Sequence, residues 1–257
     1  MPENTYPGTQ AIQRAISLLK AFDDQRPAWG LSELARETGL NKATAYRLLA
    51  ALEREGLLGR AADGERYVLG PEIVVLGGRA LRANNLRAVA RPELERLADD
   101  TRETASLEIL SGGRMLVIDE IVGGHLMSGV PDLGSRWPLH ASSTGLAVLA
   151  FLPGGDAAAV LPRALSPVTA ATITDRTALL AELAAVRRRG YSIADESLEV
   201  GLVAIAAPVY NHDGAVVAAV SIAGPKVRVT AECLPAVAAQ VVRAAERVSA
   251  QLGYRPA

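Results

Sequence analysis

Apolar positions in the first seventy residues recur at two different spacings. From Thr9 to Phe22, Ile12, Ala15, Ile16 and Leu19 fall at helical intervals and predict a first helix. A loop with Asp23, Asp24, Pro27 and Gly30 follows. A second, shorter helix begins at Leu31, and its stretch from Ser32 to Thr38 turns Leu34 and Ala35 inward. Gly39 stands where the chain must turn sharply through a left-handed backbone, which glycine adopts without a Cβ clash. Asn41 is placed to cap a third helix, in which Ala45, Leu48, Leu49 and Leu52 share one face. Ala43, Arg47 and Arg54 point the other way, Thr44 and Tyr46 lie on the flanks, and Lys42 sits in the first turn. The period then shortens. Leu57–Leu58 and Tyr67–Leu69 flank Asp63-Gly64, a hairpin-turn signal, with Arg60 and Arg66 expected on the strands.

Beyond Gly70 the pattern is first helical, then mixed. Pro71 suits the first turn of a helix, and the run to about Thr104 reads as helix interrupted near Asn84–Asn85 and at Arg91-Pro92. Ala105–Leu110 and Met115–Ile121 predict strands around a Ser111–Gly113 turn, and Leu126–Val130 a further one. Helices are expected from about Ser142 to Phe151, from Thr174 to Tyr191 and from Glu232 to Leu252. Val203–Tyr210 and Val216–Ile222 read as strands joined by Asn211–Gly214. The expected class is α+β: an N-terminal winged helix-turn-helix domain (1–70), then a helix leading into a mixed α/β domain with a largely antiparallel sheet (71–257).

Composition narrows the function. A formal net charge of -1 argues against coating nucleic acid by charge alone, though not against a small reading head. Cys233 is the only cysteine, so neither an internal disulfide nor a cysteine zinc site can form, and a cytoplasmic location is expected. The first ten residues lack the basic start and apolar core of a signal peptide, and no apolar run is long enough to span a bilayer. No cofactor is expected.

A helix with one packed face, one free face and a reaching N-terminal end is what major-groove readout requires. The candidate DNA contacts are Ser32, Asn41, Lys42, Ala43, Thr44, Tyr46, Arg47, Arg60 and Arg66. Among them Arg47 is expected at a base edge and Lys42, Arg60 and Arg66 at phosphates. Leu31–Arg60 resembles the DNA-binding domain of the IclR family of bacterial transcriptional regulators, and the resemblance runs through nearly the whole chain. It rests also on "PLHASSTGLAVLAFLP" and on the stretch from Arg187 to Pro225.

The resemblance implies a GAF-like effector-binding domain, a homodimer or homotetramer on double-stranded operator DNA, and a small organic effector, carboxylic or aromatic. It places the effector at Ala141, Ser142, Asp195, Ala204, Ser221 and Ala223. Backbone N–H groups at the start of a helix can bind a carboxylate, and Ser142 and Ser221 offer hydroxyls. The sequence departs from the family pattern at Ala204, where Cys is usual, and at Val203, Ala223 and Leu146, where polar groups are usual. These departures imply a more apolar effector than a small keto acid, or weak binding. Repression is the commoner behaviour in the family.

Three rivals compete with this reading, and one, a ligand-independent architectural DNA binder, is opposed by a second domain that is larger than the reading head and near-neutral. His140, Ser142 and Asp195 are the residues a hydrolase would use, but no G-x-S-x-G elbow is present. His125, His140 and His212 offer a metal set without recognisable spacing, so no metal site is assigned.

Overall fold

A computed structural model describes residues 9–23, 25–124, 133–153 and 156–256. His125 and the strand expected at Leu126–Val130 lie outside the described residues. The chain divides into two compact units, Met1–Ala83 and Asn84–Ala257. Among the described residues no helix is long and apolar enough to cross a membrane.

The first unit contains α1 (Gln10–Leu19), α2 (Leu31–Glu37), α3 (Lys42–Arg54), the hairpin β1 (Leu58–Arg60) and β2 (Tyr67–Leu69), and α4 (Pro71–Arg82). Its core is Leu18, Trp29, Leu34, Leu49, Leu52, Leu58 and Tyr67. The stripe expected on α1 needs correcting. Leu18 is buried while Ile12 and Ile16 are exposed, because α1 packs on α3 through the face that carries Leu18. Gly39 has φ +67, and Leu40 N–H donates to Ala35 O at 2.8 Å to close the turn between α2 and α3. Asn41 caps α3 by accepting from Thr44 N–H at 2.8 Å. On α4, Pro71 occupies the first turn and none of the residues is buried.

The second unit is a six-stranded antiparallel sheet in the order β5-β4-β3-β8-β7-β6. Its strands are β3 (Thr104–Ser111), β4 (Arg114–Ile121), β5 (Arg136–Pro138), β6 (Ser192–Asp195), β7 (Leu202–Tyr210) and β8 (Val216–Pro225). Helices α5 (Asn85–Thr101) and α9 (Leu234–Gln251) cover one face, where Leu107, Ile205, Val220, Leu94 and Val241 meet. Helix α6 (Ser143–Phe151) covers the other, against Met115, Ala206 and Ala219, and α8 (Arg176–Arg189) packs on α6. The short α7 (Asp156–Val160) completes the unit. Alternation along each strand therefore sends side chains into two separate cores.

The break expected at Arg91-Pro92 is not there. Pro92 lies inside α5. Its missing N–H removes one helical bond, but Ala90, Leu94, Leu97 and Ala98 are buried against the sheet, and that packing outweighs the local preference. Asn84 does interrupt the run, as the N-cap of α5, accepting from Arg87 N–H at 3.2 Å. Strands β5 and β6 have no counterpart among the expected elements, being three and four residues long.

Candidate DNA-reading face and effector cavity

Helix α3 buries Ala45, Leu49 and Leu52 and exposes Lys42, Ala43, Tyr46, Arg47, Ala50 and Arg54. The exposed set recurs at three- and four-residue steps, so it forms one stripe. Thr44 is half-buried at its edge. Small side chains at Ala43 and Ala50 keep the stripe low between Arg47 and the helix ends. Tyr46 is 56% exposed, a large aromatic left in solvent on this face. Asn41 and Ser32 are exposed at the N-terminal ends of α3 and α2. Among the described residues neither Lys42 nor Arg47 has an ion pair or a side-chain hydrogen bond. Both charges are therefore available to an external anion.

The wing arginines differ. Arg60 is folded back, donating to Glu53 at 2.8 and 3.0 Å and to Tyr67 Oη at 2.8 Å, with its guanidinium 3.9 Å from the Tyr67 ring centre. Arg66 lies just before β2 rather than on it, and donates to Asp63 at 2.6 Å. Backbone and side-chain N–H groups of Arg66, with the backbone N–H of Glu65, hold the Asp63 carboxyl down to about 2. Both arginines thus stabilise the hairpin, and a phosphate contact would have to compete with these carboxylates.

In the second unit a small cavity of about 30 Å³ lies between α6 and the sheet. It brings together Ser142, Ala204, Ser221 and Ala223, as the sequence suggested, but not Ala141 or Asp195. Ala141 is fully buried behind it, and its carbonyl accepts from Ser197 Oγ at 2.8 Å. Asp195 is exposed at the end of β6 and pairs with Lys226 at 2.8 Å. Little of the void is wide enough for a water molecule, so an entering metabolite must displace side chains.

The cavity also contains Glu108 and Trp137, which sequence reasoning missed. Glu108 is 3% exposed and accepts from Thr144 Oγ1 at 2.6 Å and Ser106 Oγ at 3.2 Å. Ser106 is also 2.8 Å from Ser221 Oγ, across the β3–β8 pairing. Polar Thr104, Ser106 and Glu108 alternate with apolar Ala105 and Leu107. Such a strand reads as having one face in water, yet helices cover both faces here. Polar alternation on a strand with no solvent face was the available signal.

Burial pushes the Glu108 carboxyl up to about 7, against the opposing hydroxyl bonds from Thr144 and Ser106. In the unfolded chain it titrates near its ordinary value of 4.5. Between those values the native state holds a proton that the unfolded state has lost. The stabilisation is fully present below about 4.5 and is lost as pH rises through about 7. Glu108→Gln fixes the neutral form, and above neutrality it is expected to raise stability by on the order of 2–3 kcal/mol. Urea titrations of both proteins at about pH 5 and about pH 8 check this, because the wild type should lose stability between them and the variant should not. An equal loss in both would contradict it.

The catalytic alternative finds no geometry. His140 Nε2 lies 2.9 Å from Ser166 O, Ser142 Oγ donates to Pro138 O at 3.0 Å, and Asp195 holds Lys226. Ser142 instead caps α6, accepting from Gly145 N–H at 3.2 Å. Among the described residues no group of three or more His, Cys, Asp or Glu side chains is placed to hold a metal ion, and His212 is exposed beside Asp213.

A winged head with a free cationic stripe, on one chain with a sheet domain enclosing a cavity, is the build of a DNA-binding transcriptional regulator. The chain belongs to the IclR family. Residues 11–62 match the model of the IclR helix-turn-helix domain, and residues 78–250 that of the bacterial transcriptional regulator IclR C-terminal domain. The chain is 31% identical to the transcriptional repressor IclR of Escherichia coli K12, covering 95% of this chain and 90% of that one. It is 36% identical to the regulator Rv1719 of Mycobacterium tuberculosis over 78% of this chain and 76% of that one. An IclR homologue of Microbacterium hydrocarbonoxydans, solved in complex with 4-hydroxybenzoate, superposes with a TM-score of 0.81 at 30% identity, covering 94% of this chain and 98% of that one.

Proposed function

We propose that this regulator binds an inverted-repeat operator as a homodimer or homotetramer, and that a small organic metabolite in the cavity under α6 changes its affinity for DNA. The observation that carries the reading is the pairing of features in one chain: Lys42 and Arg47, unpaired among the described residues, on the free face of α3, and a small cavity behind the start of α6. One head buries little surface, and a second raises affinity through effective concentration. Exposed Val74, Val75 and Leu76 on α4 support a surface between copies. The ligand-bound Microbacterium homologue supports a metabolite of aromatic size, and relatives described as repressors support repression as the sign. The reading places the protein with its DNA in the cytoplasm.

A ligand shifts the balance only if it prefers one arrangement of the heads. Ala204→Phe, which fills the cavity from β7, is expected to bind operator like the wild type but to lose its response to any ligand that releases the wild type. Fluorescence anisotropy with and without ligand reads both. A variant that still responds fully would place the ligand elsewhere.

A further inference from the structure

Glu108 sets the charge that the cavity can accept. We propose that the effector presents a protonated amine on an apolar body to Glu108, and not a carboxylate; this rests on the ligand-responsive reading of the cavity.

The compensation around Glu108 is incomplete. Its carboxylate oxygens receive two neutral hydroxyl donors, from Thr144 and Ser106, and no cation pairs with it among the described residues. A buried carboxylate held only by neutral groups is poorly compensated, and a cation brought in by a ligand would supply what is missing. Among the described residues none of those lining the cavity is Lys, Arg or His. A ligand carboxylate would meet only neutral donors and the first turn of α6 here. The Thr144 hydroxyl, in that turn, is already given to Glu108. Once ionised, the protein's own carboxylate would repel a second one beside it.

Trp137 supplies an independent observation. Among the described residues its indole Nε1 is buried without a hydrogen-bond partner, and the residue lines the same cavity. An aromatic ring lining the same cavity as a carboxylate suits an ammonium group. The free N–H further accommodates one acceptor atom on the ligand. Leu198, Leu202 and Ala204 line the remainder and suit an apolar body.

The test uses the full-length protein and three matched probes: phenethylamine, phenylacetate and phenethyl alcohol. Binding is measured by calorimetry at about pH 8, where the amine is protonated and most of Glu108 is ionised. The amine is expected to bind at least about tenfold tighter than the acid or the alcohol, the size of one charge-assisted hydrogen bond. Glu108→Gln, checked for native operator binding, should erase that advantage. The wild-type order stands as a test even if the variant folds poorly. An acid or alcohol that binds as tightly as the amine overturns the proposal. If that probe also shifts operator affinity, the regulator reading survives. Binding of none of the three overturns the proposal and counts against the cavity as a ligand site.

Discussion

Gly145→Ala is expected to cost the second unit about 3 kcal/mol or more, enough to leave much of it unfolded if the native margin is typical. A Cβ at Gly145 would stand 2.2 Å from the carbonyl oxygen of Leu139 and 2.5 Å from its Cα. Both are backbone atoms, so no side chain can swing away to make room. Relief requires α6 to lift from the Pro138–Ala141 segment, whose carbonyls bond Ser142 Oγ and Ser197 Oγ. The same movement would displace Thr144 from Glu108, so cavity and stability should fail together. Gly77→Ala is the control. That glycine lies within α4, where an added Cβ would meet nothing within 4 Å, and alanine there should stabilise the helix by up to about 1 kcal/mol. Urea unfolding of both variants checks the pair. A Gly145→Ala loss below about 1 kcal/mol would show that α6 is not clamped at its start.

Arg47→Ala is expected to abolish sequence preference rather than DNA binding as such. A bidentate arginine–guanine contact contributes about 1–3 kcal/mol of discrimination, and two heads on one operator roughly double it. Arg47 has the required freedom, being exposed on the α3 stripe with no partner among the described residues. Lys42 shares that freedom but stands in the first turn, where a long flexible cation meets a phosphate. Lys42→Ala should therefore weaken specific and nonspecific DNA by similar factors and lower the salt dependence by about one charge per head. Arg60→Ala should behave differently again. It removes the anchor of Glu53 and the cover over Tyr67, so it should lower stability of the first unit as well as binding. Competition titrations of operator against scrambled duplex at two salt concentrations separate these roles. If Arg47→Ala and Lys42→Ala shift both duplexes alike, the division is wrong.

The helices and paired strands were legible because their signals are local. Asn41, Ser142 and Asp175 each cap the helix expected after them, and the Gly39 turn is set by the one residue free of a Cβ. Legibility failed where the deciding contact is distant in sequence. Pro92 sits inside α5 because the sheet packs on that helix, which a residue-by-residue preference does not contain. Family position puts Asp195 in the cavity, yet the end of β6 turns it to Lys226. Glu108 looks like the solvent side of an alternating strand, and only the helices over both faces reveal it as a buried charge. The arginines of the wing read as free cations in the sequence because their partners, Glu53 and Asp63, lie on another element or across the turn.

Operator binding is the most direct test of the central claim. Labelled DNA from just upstream of the protein's own gene is titrated with purified protein, followed by anisotropy, against a scrambled duplex of equal length, and then in the presence of each aromatic probe. The expected result is tight, salt-sensitive binding to the upstream DNA, weaker binding to the scrambled duplex by about a thousandfold or more, and a shift in the first with at least one probe. Equal binding to both duplexes, unchanged by every probe, would contradict it.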